Sequence, residues 1–211
     1  MRNEELVNEL KKKESYVQCE VYRIFKNAIE SEVKYSKGSY QEVFPEVIPE
    51  VPIKVEEGKE ERADLVVFSQ QYGSFKPKLI IETKQRVFDQ PGKSLAAYSK
   101  KVKNYAEKLD AWHYVIYDGY YWFLFSWIHP YLIRVLTVEV EKNLDEKFAK
   151  DVLMAIAEIS YTSERKYFKE LDKYPATDKD FIKRRIFPSL AKSFEPSEWS
   201  ELSVRWEKDT L

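Results

Sequence analysis

Apolar residues recur at helical spacing from Glu4 to about Glu30, where Leu6, Leu10, Val17, Val21, Ile24 and Ala28 form one stripe uninterrupted by glycine or proline. The spacing predicts an amphipathic helix. Glu20 falls three residues after Val17 and four before Ile24, so its carboxylate lies beside the stripe rather than on the outer face. Such an edge glutamate can snorkel to water, pair with a lysine, or turn toward chemistry inside the fold. From Val43 to Val55 apolar and polar positions alternate, but prolines at 45, 49 and 52 remove backbone donors. That pattern predicts an irregular or edge strand.

Two denser apolar runs follow. The stretch RADLVVF, residues 62–68, is rich in β-branched and apolar side chains and reads as a buried strand that opens with Asp64. The loop QQYGSFKP returns the chain to KLIIETKQ, residues 78–85, a second buried strand that closes on Glu82, Thr83 and Lys84. Residues 93–109 place Leu95, Tyr98, Val102, Tyr105 and Leu109 on one helical face and lysines on the other. The aromatic run from Trp112 to Trp127 is divided by Asp118-Gly119, a pair suited to the positive backbone angles of a two-residue hairpin turn. Tyr131 to Val140 adds a strand. Beyond Asn143 the period returns to helical, with Phe148, Val152, Ile156 and Ile159 on one stripe. Another helix is expected through Tyr167 and Leu171, and a basic one over 178–193 is interrupted by Pro188. The expectation is an α/β core over residues 1–140 with a C-terminal helical extension, residues 141–211, packed on it.

Composition narrows the class. With 44% hydrophobic and 15% aromatic residues in 211, the chain can bury a sizeable core. Lys plus Arg number 35 against 36 Asp plus Glu, so attraction to a polyanion must come from a local patch rather than from net charge. One cysteine, Cys19, excludes an internal disulfide, and with His113 and His129 as the two histidines a structural zinc site is not expected. Cys19 reads as filler in the first helix, and both histidines read as satisfied structural residues. The apolar stretch from Tyr120 to Ile133 is about 14 residues, short of the roughly 20 that a spanning helix needs. The expectation is a soluble, intracellular protein with no membrane partner.

The candidate chemistry lies at the strand ends. Side chains two apart on a strand share a face, so Glu82 and Lys84 point the same way, while Thr83 points oppositely and offers its carbonyl between them. If the Asp64 strand pairs alongside, two carboxylates and a carbonyl converge, the hard-oxygen set that magnesium prefers. Buried acids need compensation, and Lys84 alone cannot balance Asp64, Glu82 and Glu20. A divalent cation would neutralise the surplus and lower the pKa of a bound water, and Lys84 could orient that water or steady charge developing on a phosphate. An isolated E-x-K triplet more often marks a surface ion pair. The ordered set is what raises it above that reading.

Through Glu20, RADLVVF with Asp64, and LIIETKQ with Glu82 and Lys84, the sequence resembles the PD-(D/E)xK, or restriction-endonuclease-like, nuclease superfamily over residues 15–125. The resemblance implies a central mixed β-sheet flanked by helices in the order α-β-β-β-α-β. It implies that Asp64 and Glu82 bind Mg2+, with Mn2+ substituting, that Lys84 serves the attacking water, and that Glu20 completes the metal shell. Thr83 would add its carbonyl. Ala63 stands where the family pattern has proline. In length and layout the chain is also similar to nucleases of archaeal spindle-shaped viruses related to Holliday-junction resolvases. A DNA endonuclease acting on branched or recombination intermediates is then expected, working as a homodimer, since cutting two strands calls for paired sites. The competing class is a catalytically silent DNA-binding protein with the same fold.

From Lys76 to Lys108 nine Lys and Arg face three acids, a local basic surplus. Lys93, Ser94, Lys100, Lys101 and Asn104 on the second helix are candidate phosphate contacts, against the alternative of a solvated helix face. Gln85 and Tyr98 could line the site. Lys183, Arg184 and Arg185 could grip DNA away from the cut or pair with a partner subunit. The aromatic hairpin suits core or dimer contact, with base stacking as a further use.

Overall fold

The computed structural model describes residues 14–56, 58–84, 93–128, 131–139, 144–164 and 206–208. Three helices and eight strands are found among them. In chain order they are α1 (Glu14–Glu30), β1 (Lys34–Lys37), β2 (Tyr40–Glu56), β3 (Lys59–Gln71), β4 (Ser74–Thr83), α2 (Lys93–Leu109), β5 (His113–Tyr117), β6 (Tyr121–Ile128), β7 (Tyr131–Glu139), α3 (Glu146–Glu164) and β8 (Trp206–Lys208). The strands form one sheet in sequence order, antiparallel everywhere except between β4 and β5, which are parallel. That one parallel pair requires a crossover, and α2 supplies it. The chain is therefore an α/β protein with a mixed sheet. The Leu6 and Leu10 half of the first stripe, His129, and the basic segment carrying Lys183, Arg184 and Arg185 lie outside the described residues.

Period-two alternation sorts the sheet into two packed faces. Leu65, Val67, Leu79, Ile81, Val115 and Leu124 join a core with Val21, Ile24 and Phe25 of α1 and Val152, Leu153 and Ile156 of α3. Val66, Ile80, Tyr114, Ile116, Phe123 and Phe125 join a second core with Val102, Tyr105 and Ala106 of α2. Both faces are covered, which is why the central strands read as continuous apolar runs rather than as clean alternation. The aromatic hairpin belongs to this interior: Trp122 is fully buried and stacks on Phe25 at 5.8 Å between ring centroids. Its turn is closed by Asp118 Oδ1, which accepts the Tyr120 and Tyr121 amides at 2.9 and 2.6 Å. Helix α3 falls in the stretch expected as an extension and shares its core with α1. Cys19 is exposed on α1, so it fills no core position.

The expected edge strand is an interior one. β2 pairs with β1 on one side and β3 on the other, but β1 reaches only from Tyr40 to Val43. From Phe44 onward no described strand covers the outer edge of β2, and Pro45, Pro49 and Pro52 all fall on this stretch, where missing donors are tolerated. Its register with β3 shifts twice, between Val43 and Glu46 and between Lys54 and Glu56.

His113 is fully buried on β5, between Ser126 Oγ at 2.9 Å and Ser160 Oγ at 3.0 Å. Ser160 Oγ donates to the Ile156 carbonyl, so it accepts from His113 Nε2–H, and Nδ1 accepts from Ser126. Burial, with Lys78 nearby, drops the His113 pKa well below the usual histidine value, so it is neutral in the fold. A base whose pKa falls on folding contributes stability above its unfolded pKa and loses it as pH drops. Stability should accordingly begin to fall below pH about 6.5, before the carboxylates titrate. Urea unfolding between pH 7.5 and 5 should show that loss in the wild type and a flatter profile in His113→Gln. Parallel profiles would contradict the account.

Candidate active site

The register of β3 and β4 sets Leu65 opposite Ile81, so one further step places Asp64 across from Glu82. Asp64 Oδ2 accepts both the Thr83 amide and the Thr83 hydroxyl at 2.7 Å. Glu82 has no exposed surface. Its Oε1 lies 2.9 Å from Lys84 Nζ and 2.9 Å from Lys101 Nζ, while its Oε2 is buried with no hydrogen-bond partner. Lys84 Nζ also donates to the Thr83 carbonyl and to Glu14 Oε1, each at 2.8 Å. The ammonium's three protons are thereby all engaged. Below it, the Tyr98 ring centroid is 5.6 Å away, within cation–π range. Of the three acceptors, Glu14 is the one nearly half exposed, and exposed pairs are weak, so it is the partner most readily exchanged for another acceptor.

The titration behaviour follows from this crowding. Burial raises the Asp64 pKa, the Glu82 charge raises it further, and the two Thr83 hydrogen bonds only partly offset the shift. For Lys84, burial acts to lower the pKa, but Glu82, Glu14 and Asp64 outweigh it, and the net shift is upward. Lys101 is raised in the same way, burial opposed and overcome by its hydrogen bond and charge interaction with Glu82. Tyr105, which donates to Glu61 and lies under Lys101, is pushed up to about 12, chiefly by burial. The cluster thus carries two firmly protonated lysines around one buried carboxylate.

Asp64, Glu82, Thr83, Lys84, Tyr98 and Lys101 are brought together. Glu20 is half-buried on α1 and makes no hydrogen bond or ion pair among the described residues; the α1 acid that reaches Lys84 is Glu14. Lys100 is exposed and Asn104 half-buried on α2, and neither has a hydrogen bond to the cluster. Lys93 and Ser94 lie in the first turn of α2, of which the backbone alone is described, and Gln85 lies outside the described residues. Lys101, expected to meet phosphate, instead pairs with Glu82. Thr83, expected to point away, uses its hydroxyl to hold Asp64. Sequence reasoning passed over Glu14 and Gln18, four apart on one helix face. Gln18 Nε2 donates to Glu50 Oε1 at 2.6 Å and to the Asp64 carbonyl at 3.2 Å.

No group of three or more His, Cys, Asp or Glu side chains gathers to hold a metal among the described residues. What the site offers is smaller: the buried, unpartnered Glu82 Oε2, the Asp64 oxygen not used by Thr83, and the Thr83 carbonyl, which also accepts from Lys84 Nζ. Two hard anionic oxygens and a carbonyl suit a magnesium ion that keeps several waters, or a phosphate oxygen, in its remaining positions.

Because folding raises the Asp64 pKa, the strain it causes is absent below the unfolded carboxylate pKa and is fully felt above the folded one. Asp64→Asn, which keeps the acceptor for Thr83, should therefore raise Tm at pH 8 by a few degrees, and the gain should shrink toward pH 4. Thermal melts at both pH values check this, and an equal or lower Tm at pH 8 would contradict it. No helix among the described residues is long and apolar enough to cross a membrane. No family model matches the chain, and no curated protein or solved structure shows a match to it.

Proposed function

We propose that the chain is a magnesium-dependent DNA endonuclease of the PD-(D/E)xK type. The observation that carries this reading is the meeting of Asp64, Glu82 and Lys84 across β3 and β4, with Glu82 Oε2 buried and unpartnered. The order α1, β1, β2, β3, β4, α2, β5, with β4 and β5 parallel, supports it, since apart from the four-residue β1 it follows the α-β-β-β-α-β order of that superfamily.

Asp64, Glu82 and the Thr83 carbonyl would hold Mg2+, with Mn2+ able to replace it. When bound, the ion supplies positive charge at the phosphate and a water acidic enough to attack phosphorus. Lys84, released from exposed Glu14, would donate to that water and fix its approach, with its charge facing the phosphate oxygens. Hydrolysis joins the water oxygen to phosphorus and breaks the bond to the 3′ oxygen. The proton passes to the leaving oxygen, giving a 3′-hydroxyl and a 5′-phosphate. Lys100, exposed on α2, would meet the backbone without reading sequence. Branched or recombination intermediates are the substrate class, cut by a homodimer with two such sites.

One observation favours a second reading, a silent DNA-binding protein: Lys84 and Lys101 neutralise Glu82 with no metal. A panel of linear, single-stranded and branched DNA with Mg2+ separates the two. The nuclease reading expects cleavage that falls about 100- to 1,000-fold in Lys84→Ala and in Glu82→Ala, as when a group stabilising the transition state is removed. Retention of DNA without cleavage under Mg2+ or Mn2+, or cleavage unaffected by either substitution, would overturn it.

A further inference from the structure

Glu50 has φ of 54°, a left-handed conformation in the middle of a strand and in a residue that is neither glycine nor asparagine. The register explains where this falls: Pro49 faces Leu65 and Val51 faces Ala63, so Glu50 stands across from Asp64. A backbone held in this region by a side-chain-bearing residue persists only where surrounding contacts enforce it. The side chain that meets Glu50 from α1 is Gln18. Its amide nitrogen reaches from α1 to the Glu50 carboxylate at 2.6 Å and to the Asp64 carbonyl at 3.2 Å, spending both protons on adjacent strands at one level of the sheet.

From this juxtaposition we infer that Gln18 and Glu50 are a positioning pair that fixes the Asp64 backbone, and through it the Asp64 carboxylate, toward Thr83 and Glu82. The inference rests on the metal-site reading above for its functional meaning. Asp64 is otherwise held at its carboxylate by the two Thr83 bonds, a link to β4, whereas Gln18 holds its main chain to α1 and β2. Glu14, one helical turn before Gln18, holds Lys84. One end of α1 thus reaches both the strand that carries the first acid and the lysine two residues after the second.

The distortion at Glu50 has an alternative reading as an accident of a proline-rich strand, and the two readings differ in whether Thr83 responds when the pair is broken. Glycine adopts φ of 54° freely, so Glu50→Gly should hold or raise Tm. It would still strip Gln18 of its carboxylate partner. Gln18→Leu removes both donors at similar volume. In both variants the Thr83 amide, which donates to Asp64 Oδ2, should exchange with solvent about tenfold faster, the size of one net hydrogen bond. The Lys84 amide, bonded to the Tyr117 carbonyl at 2.7 Å, is the internal control and should keep its rate. Mg2+ affinity measured by calorimetry should drop about tenfold or more, as when residues behind a metal ligand are removed. Thr83 exchange at the wild-type rate in both variants would overturn the inference. A wild-type protein that takes up no Mg2+ would instead defeat the metal-site reading, with the exchange rates still deciding the role of the pair.

Discussion

The arrangement depends on a single buried charge. Glu82 lies in the middle layer of the fold with no exposure, at the end of a strand whose preceding residues are apolar and fully covered. An isolated carboxylate in such a place is several kcal/mol uphill even after relaxation. Two ammonium groups at 2.9 Å hold it there, one from the residue two positions on and one from the crossover helix. Lys84 ties that charge in turn to α1 through Glu14, and Thr83 ties its strand to β3 through Asp64. Elements distant in sequence are thereby drawn to one point.

The opposite end of the sheet shows what this physics looks like without a site. Glu42 is also fully buried, yet its two oxygens are divided between partners. Tyr40 donates to Oε2 at 2.8 Å, and Lys78 Nζ lies 2.7 Å from Oε1 as a contact of charges rather than an aligned hydrogen bond. At Glu82 both cations crowd one oxygen and leave the other empty. The first pattern suits a structural ion pair. The second leaves a buried oxygen without a partner on the residue across from Asp64, which is the asymmetry a bound cation would use.

Much of this was legible in the sequence, for reasons that can be traced. Apolar runs such as LVVF and KLIIET, short and rich in β-branched residues, read as covered strands, and the helical stripe of α1 follows from spacing. A turn at Asp118-Gly119 was legible too, but it is longer than the two residues expected, since Tyr117 pairs with Trp122. The meeting of Asp64 with Glu82 followed from two adjacent strands each carrying an acid near one end. What spacing could not convey was which long, flexible side chain would reach the buried acid. Lys101 looked like one lysine among several on a polar helix face, yet the crossover geometry aims it at Glu82. Glu20 sat beside the apolar stripe as reasoned, but it is the first turn of α1, with Glu14, that reaches Lys84. The strand read as an edge was half right, because β1 is too short to cover β2 past Val43. Nothing local in the sequence marks Glu50 for a left-handed backbone, or Gln18 as the α1 residue that meets it.

The central claim is that Asp64 and Glu82 share a cation beside Lys84. Anomalous scattering from a crystal grown with Mn2+ tests it most directly. The account predicts a peak about 2.0–2.2 Å from a carboxylate oxygen of Asp64 and from Glu82 Oε2, with the Thr83 carbonyl alongside. No peak at that position, with Glu82 still locked between Lys84 and Lys101, would contradict it.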